Sequence, residues 1–228
     1  MKRQIYFRKL FLLKNKSLLK KLVFQDISSK YKGTQFGMSW SIINPFLLLV
    51  TYSFVFTIVF RVRWDSINYD KNSIYPLIIF SGLIIHSFFS EILIRSPYIL
   101  SSNINYIKKI AFPTEILPLV IIFSSFFNLL IGLLTLTFGF LITHGFIHWT
   151  ILFFPVVVLP LLILSAGLGY IISCISLFLK DISQIINLLC TVILFLSPAF
   201  YPINKLPTVM QKLILINPIS IIINEIRN

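Results

Sequence analysis

Long stretches without formal charge constrain the fold more than any other feature of the chain. The longest predicted membrane segments among them cover residues 33–60, 116–143 and 150–179. An α-helix of about 20 apolar residues is long enough to cross a lipid bilayer. The chain is 57% hydrophobic and 12% charged, whereas an ordinary soluble domain has about 25% charged residues. The sequence therefore predicts an all-α integral membrane protein, built as a polytopic helical bundle.

Polar breaks in the apolar pattern divide the chain into five predicted spans. These spans lie at about 44–62, 73–94, 115–143, 150–179 and 182–200. Asn44 and Pro45 suit the N-cap and the first position of the first helix. After the fifth span, prolines break residues 201–228 into pieces too short to cross the bilayer, which is typical of re-entrant or interfacial helices. Residues 44–228 are thus predicted to form one transmembrane domain.

The N-terminal segment, residues 1–43, is strongly basic. Ten of the twenty Lys and Arg residues lie within the first 32 positions. A basic flank before a long apolar segment marks the cytoplasmic side of a membrane protein, so this segment is predicted to be cytoplasmic. The net charge of +13 is interpreted in the same way, as membrane orientation rather than nucleic-acid binding. Apolar residues at helical spacing over 18–27, with lysines between them, predict an amphipathic interface helix.

The sequence lacks the motifs that would indicate an enzyme or a metal centre. It has no GxxxxGKS or GxxxxGKT phosphate loop, no GxSxG and no HExxH. Its three histidines and two cysteines are not clustered at metal-ligand spacing, and its seven carboxylates are spread singly. Ion-coupled transporters need relays of intramembrane carboxylates, and a membrane-bound acyltransferase needs a paired acidic or histidine site. We therefore expect no catalytic residue, no metal and no cofactor in this chain.

Four segments, in order along the chain, match the pattern of a known family. The first is FQDISSKYKGTQFGMSWSIINP at 24–45, where the matching residues are Asp26, Lys30, Tyr31, Gly37, Trp40 and Pro45. The second, at 75–95, contains Pro76, Gly82 and FFSE. The third is NYIKKIAFPTEILP at 105–118, and the fourth joins KDI at 180–182 to SPAFYP at 197–202 and Asn217-Pro218. In this arrangement the chain resembles the permease subunit of polysaccharide ABC exporters, the type-2 ABC transporters that export O-antigen, capsule or teichoic-acid chains.

The resemblance implies a channel-forming, non-catalytic subunit of an ATP-driven exporter for lipid-linked polysaccharide. Such a permease lies in the bacterial inner membrane with its N-terminus in the cytoplasm, and it pairs with a second copy of itself. Two separate ABC ATPase subunits hold the ATP and Mg²⁺, which agrees with the missing phosphate loop. Family members have six spans, and Asn-Pro introduces the sixth. Since five spans are counted here, we expect the last helix to be lacking from this sequence.

The resemblance also implies cytoplasmic elements that transmit the motion of the ATPase. We place them in the interface helix and in the loop before the third span, with the candidate residues Asp26, Lys30, Tyr31, Lys108, Lys109, Phe112, Pro113 and Glu115. For the helix, the alternative is a plain interfacial anchor whose lysines are held by anionic membrane lipids. For Lys108 and Lys109, the alternative is a determinant of topology, and the two roles are compatible.

Aromatic residues are candidates for the glycan path, because aromatic faces contact sugar C–H groups without strong directional bonds. Tyr52, Phe56 and Phe60 follow i, i+4, i+8 spacing on one face of the first span. The second span contributes the further candidates His86, Phe88 and Phe89. The alternative for each of these residues is packing against other helices or contact with lipid.

Two further groups of residues are predicted near the membrane surfaces. The outer gate is assigned to the proline-rich region after the fifth span, with the candidates Ser197, Pro198, Tyr201, Pro202, Asn217 and Pro218. The alternative for this region is an ordinary loop. Near the cytoplasmic end of the second span, Glu91 is a costly charge for a membrane segment. Arg95 follows four residues later, so the spacing predicts a helical ion pair.

Three other functions remain as alternatives. A permease of the same fold could carry a drug, a lipid or a peptide. A membrane-embedded acyltransferase would need the paired site that the sequence lacks. A non-transporting assembly or anchoring subunit would need no channel.

Overall fold

The computed structural model describes residues 15–59, 75–104, 112–145, 153–201, 203 and 206–227, and the regular elements found there are all helical. In chain order, the nine α-helices of these residues are α1 (Lys16–Ser29), α2 (Trp40–Ser53), α3 (Tyr75–Arg95), α4 (Ile99–Ser102), α5 (Ile116–His144), α6 (Phe154–Ile175), α7 (Ile182–Leu196), α8 (Thr208–Ile216) and α9 (Pro218–Arg227). The prediction of an all-α polytopic bundle is confirmed.

Four helical stretches of the described residues are long and apolar enough to cross a membrane. They are Gly37–Val59, Tyr75–Ser102, Ile116–Thr143 and Phe154–Ile175. At a rise of about 1.5 Å per residue, the 21 residues of α3 alone extend about 31 Å, close to the hydrocarbon thickness of a bilayer. The chain is therefore a multi-pass membrane protein.

The first span begins earlier than the sequence predicts. A 3₁₀ turn at Gly37–Ser39 leads directly into α2, so Pro45 lies inside the helix and Asn44 is not its N-cap. Gly37 has a φ of 49°, in the left-handed region that glycine enters without steric cost, and this lets the chain turn into the helix. Pro45 removes one backbone donor near the helix start, a loss that a membrane helix tolerates. After Ser53 the helix continues as a π-helical segment, Phe54–Val59.

The predicted fifth span is too long. Helix α7 has 15 residues, which extend about 22 Å and fall short of the roughly 30 Å needed to cross the bilayer. It ends because Ser197 has an extended backbone, with φ −85° and ψ 146°, as a residue before proline prefers. The predicted fourth span also ends earlier, at Ile175, where Leu177 and Phe178 donate to Cys174 and Ile175 in a tight turn. The described residues thus hold four long helices and a short fifth one, rather than five spans.

Helix α3 lies at the centre of the bundle. It packs against α2, α5, α6, α7 and α9, and most of its residues are buried. Helix α2, by contrast, leaves most of its apolar side chains exposed. Helix α1 lies outside this core and packs along α5. The chain therefore has one densely packed helix around which the others are arranged.

Two glycines of α5 allow its close approach to α3. A Cβ atom at Gly132 would lie 3.1 Å from the side chain of Ile84. A Cβ atom at Gly139 would lie 2.7 Å from Leu77 Cδ2 and 3.0 Å from Leu49 Cδ2. Small residues at such contacts are how membrane helices pack closely without a hydrophobic driving force between them.

We expect Gly139→Val to destabilise the bundle by about 1–3 kcal/mol, because the added methyl groups overpack the contact with Leu77 and Leu49. The thermal midpoint of the purified protein in detergent measures this. Gly167→Val is the matched control, since a Cβ at Gly167 meets nothing within 4 Å. Equal midpoints for the two variants would contradict close packing at Gly139.

Candidate functional site

Glu91 and Arg95 lie near the C-terminal end of α3 and face each other one turn apart. Arg95 Nη1 donates a hydrogen bond to Glu91 Oε1 at 3.2 Å. The predicted helical ion pair is confirmed. A pair of opposite charges at i, i+4 on a helix surface contributes only about 0.2–0.5 kcal/mol by itself, so the further partners of these two residues matter more.

Helix α1 and the residue that follows it supply a second pair of charges. Lys30 Nζ donates to Glu91 Oε1 at 2.5 Å, and Arg95 Nη2 donates to Asp26 Oδ1 at 2.5 Å. These contacts join residues that are 61 and 69 positions apart in the sequence. We call Asp26, Lys30, Glu91 and Arg95 the charged quartet. Its formal charges sum to zero, so each charge is compensated within the group.

Asn128 on α5 completes the site. Its Nδ2 donates to both carboxylate oxygens of Glu91, at 3.1 and 2.9 Å. Asn128 is uncharged and is not among the site residues predicted from the sequence. One signal was available: Asn128 is the sole amide side chain within the uncharged run 116–143. Glu91 therefore links α1, α3 and α5 through a single carboxylate.

The quartet is only partly accessible to solvent. Its side chains are between 19% and 27% exposed, so their attraction is less screened than that of a surface pair. Tyr31 lies beside it: burial raises the pKa of its phenol, and the negative charge of Glu91 raises it further. The phenol is consequently neutral at physiological pH and adds no charge to the balanced group.

The quartet lies at the C-terminal end of α3, and Asn128 lies just before the middle of α5. Sixteen positions separate Tyr75 from Glu91 on α3, and sixteen separate Asn128 from His144 on α5. Each interval extends about 24 Å, most of the roughly 30 Å hydrocarbon thickness. Past the quartet, α3 is followed by the 3₁₀ turn Ser96–Tyr98 and by α4. The twelve positions of α5 that precede Asn128 cover about 18 Å. The two helices therefore continue well past the level of the quartet.

The other predicted coupling residues lie at the far end of this extension. Phe112 packs against the hydrophobic core, and the carbonyl of Pro113 accepts a hydrogen bond from the Ile116 amide at 3.1 Å. Glu115 is exposed, and its carbonyl accepts a hydrogen bond from the Tyr170 hydroxyl at 2.8 Å. Lys108 and Lys109 lie outside the described residues. The coupling candidates thus fall into two groups, the quartet with Tyr31 and the segment before α5.

Two of the three aromatic residues predicted on the first span form a connected row. Tyr52 and Phe56 have ring centroids 6.3 Å apart, and Phe56 packs edge-on against Tyr75 of α3 at 5.5 Å. Phe60 lies outside the described residues. Tyr52 and Phe56 are half-buried, so part of each ring remains accessible. Their contact with glycan stays a prediction.

The aromatic candidates on the second span are placed differently. His86, Phe88 and Phe89 are 8%, 2% and 3% exposed. Both phenylalanines belong to the hydrophobic core, and His86 Nε2 lies 3.0 Å from the Cys190 carbonyl oxygen of α7. None of the three presents a surface on which a sugar could lie in this arrangement, so packing accounts for them better than the predicted glycan contact.

Residues predicted for the outer gate meet where α7 ends and α9 begins. Asn217 Nδ2 donates to Ser197 Oγ at 3.0 Å, and Asn217 Oδ1 accepts from the Ile219 amide at 3.1 Å. Helix α9 starts at Pro218, so a helix does follow Asn-Pro. Pro198 is buried, and the Tyr201 hydroxyl donates to the Phe195 carbonyl at 3.0 Å. Pro202 lies outside the described residues, and the gating role stays a prediction.

Metal ligands do not cluster in the part of the chain that the structure describes. No group of three or more His, Cys, Asp or Glu side chains there could hold a metal ion. The described residues do hold ion pairs and hydrogen bonds that join separate helices, those of Glu91 among them. Such contacts position helices relative to one another.

Comparison with known proteins identifies the family. Residues 17–228 match the family described as ABC-2 type transporter, and the chain belongs to this family. It is 28% identical over 193 residues to a Myxococcus xanthus protein named O-antigen export system permease protein RfbA, covering 84% of this chain and 70% of that protein. Two Klebsiella pneumoniae proteins of the same name are 26% and 24% identical over 206 residues, covering 89% of this chain and 76% of each relative.

We expect Glu91→Gln to lower the free energy of unfolding by about 1–3 kcal/mol, because Lys30 and Arg95 would lose their shared negative partner in a partly buried site. Denaturation in mixed detergent micelles provides the measurement. Glu225→Gln removes the same charge from an exposed position of α9 and should stay within about 0.5 kcal/mol of the wild type. A Glu91 variant as stable as the Glu225 variant would show that the quartet does not hold the helices together.

Proposed function

We propose that this chain is the channel-forming permease subunit of an ATP-driven exporter of lipid-linked polysaccharide in the bacterial inner membrane. The observation that carries the proposal is the match to the ABC-2 type transporter family over residues 17–228. It is supported by relatives named as O-antigen export permeases, which align with most of this chain. The four long apolar helices of the described residues supply the membrane-embedded part that such a subunit needs.

ATP is hydrolysed by a separate ABC ATPase subunit in this proposal. The chain has no phosphate-binding loop, so ATP and Mg²⁺ are held by the partner and the permease is not itself catalytic. The basic segment 1–43 places the N-terminus in the cytoplasm. The quartet then lies at the cytoplasmic side of the bundle, and the segment before α5 projects beyond it toward the ATPase.

The two groups of coupling candidates act in series. The ATPase moves the projecting segment around Phe112–Glu115, and α5 carries this motion to Asn128. Because Asn128 and Lys30 both bind Glu91, a shift of α5 is shared with α1 and with the central helix α3. Two copies of the permease face each other, and the concerted shift of these helices opens the path between them. The half-buried ring of Tyr52 and the adjoining Phe56 line that path.

We expect the chain to co-purify with a phosphate-loop ATPase when it is tagged and extracted in mild detergent, with two copies of each subunit. Reconstituted into vesicles with the ATPase, the complex should move lipid-linked polysaccharide in an ATP-dependent manner. An ATPase variant whose phosphate-loop lysine is replaced by alanine serves as the control. If ATP hydrolysis moves lipids or drugs but not lipid-linked glycan, the substrate class in the proposal is wrong; if no ATPase binds, the permease role is wrong.

A second experiment tests the coupling role of the quartet. Lys30→Gln should lower export by at least about fivefold, because the ion pair between Lys30 and Glu91 is lost. ATP hydrolysis by the complex should stay within about twofold of wild type, because the substitution leaves the ATPase subunit unchanged. Lys32→Gln is the matched control, since Lys32 is exposed and lies two positions further on. Equal export by the two variants would contradict coupling through the quartet.

A further inference from the structure

Helix α6 contacts the chain on both sides of the segment that leads from α3 to α5. The Tyr170 hydroxyl donates to the Glu115 carbonyl at 2.8 Å, immediately before α5. Three positions later, Ser173 Oγ donates to the Ser96 carbonyl at 3.1 Å, immediately after α3. Residues three positions apart share one helix face. A single face of α6 is therefore tied to both ends of this segment.

The contact at Ser173 is buried and tightly packed. Ser173 and Ser96 are each 1% exposed. A Cβ atom at Gly169, one turn earlier on α6, would lie 3.1 Å from Ile92 Cγ2 and 3.1 Å from Ser96 Oγ. Breaking a hydrogen bond at such a site leaves a buried polar group without a partner, which costs free energy. This contact therefore holds α6 to the end of α3 as a fixed point.

The contact at Tyr170 is more accessible. Tyr170 is half-buried and Glu115 is exposed, so losing this hydrogen bond leaves no deeply buried group unsatisfied and costs little stability. Glu115 belongs to the segment that the ATPase moves under the proposed function. A displacement of that segment reaches α6 at Tyr170 while Ser173 stays in place. The last turns of α6 are then tilted about the Ser173 contact.

A compact turn connects α6 to α7. The amides of Phe178 and Leu179 both donate to the Ile175 carbonyl at 2.9 Å. The Ile182 amide then donates to the Leu179 carbonyl at 3.4 Å. Backbone hydrogen bonds thus run from the end of α6 to the first residue of α7. Displacement of the last turn of α6 is passed to α7, which ends next to Ser197, a residue of the predicted outer gate.

We propose that Tyr170 is a positioning residue for export: its hydroxyl passes the motion of the segment before α5 to α6, and α7 carries that motion to the outer gate. The inference rests on the proposed function and adds a second route to the one that runs through the quartet. The two routes diverge at Glu115, since α5 leads from there to Asn128 and the hydrogen bond of Tyr170 leads to α6. ATP hydrolysis on one side of the membrane is thereby linked to residues near the other side.

The first test measures the lipid-linked glycan exported per ATP hydrolysed by the full permease–ATPase complex in vesicles. Tyr170→Phe keeps the ring and removes the hydroxyl, so it should lower this ratio about fivefold. ATP hydrolysis should stay within about twofold of wild type, and the thermal midpoint should match it. Tyr98→Phe is the matched control, because Tyr98 is 49% exposed on the turn after α3 and should keep the wild-type ratio. Equal ratios for the two variants would overturn the inference, as would a loss of export that ATP hydrolysis follows in proportion.

Hydrogen–deuterium exchange of the turn at 176–182 gives a readout that does not depend on the substrate. Addition of ATP should change the exchange of these amides in the wild-type complex and leave it unchanged in the Tyr170→Phe complex. The same change in both complexes would show that motion reaches α7 without Tyr170, and the inference would fail. If the wild-type complex shows the exchange change but exports no lipid-linked glycan, the proposed substrate is wrong and the role of Tyr170 stands.

A double variant tests whether the two routes are separate. Tyr170→Phe combined with Lys30→Gln should lower export per ATP about 25-fold, because independent effects multiply. A double variant that loses no more than Lys30→Gln alone would place Tyr170 on the route through the quartet, and the second route would be wrong.

Discussion

The carboxylate of Glu91 accepts hydrogen bonds from Lys30, Arg95 and Asn128, and the position of α1 depends on it. A carboxylate at the edge of a membrane span is costly unless its charge is compensated. The compensating residues lie on or next to three helices. Moving these helices apart would therefore leave a partly desolvated charge without a partner, which is energetically costly. Asp26 pairs with Arg95, so the charged quartet is neutral as a whole. The contacts of Glu91 therefore favour one placement of α1, α3 and α5 relative to one another.

The consequences of that contact extend along α3, because α3 is packed on nearly every side. At its other end, the Tyr75 hydroxyl donates to the Phe200 carbonyl at 3.0 Å, in the turn that follows α7. The same turn includes Ser197, which Asn217 ties to the start of α9. One helix thus contacts the charged group at one end and the turn at the other. Close packing makes it a stiff connection, since cores of this density transmit displacement rather than absorb it.

Sequence reasoning succeeded where a single physical rule decides the structure. A lipid-embedded backbone must satisfy its own hydrogen bonds, so long apolar runs become helices, and α3 and α5 begin and end close to the predicted positions. It failed where local signals competed. Asn44-Pro45 looks like a helix start, but the turn at Gly37 had already begun the helix. The apolar run after Ile182 looks long enough to span, but the backbone at Ser197 ends it.

The sequence alone determined that the chain is a helical membrane protein with no phosphate loop, that its basic residues gather at one end, and that Glu91 and Arg95 pair within one helix. Helical periodicity fixes neighbours within four residues and nothing further. The tertiary structure decided that Asp26 meets Arg95, that Lys30 and Asn128 meet Glu91, and that Phe88 and Phe89 lie in the core. Those pairings depend on how the helices pack, because residues 61 and 69 positions apart are brought together only when the bundle closes.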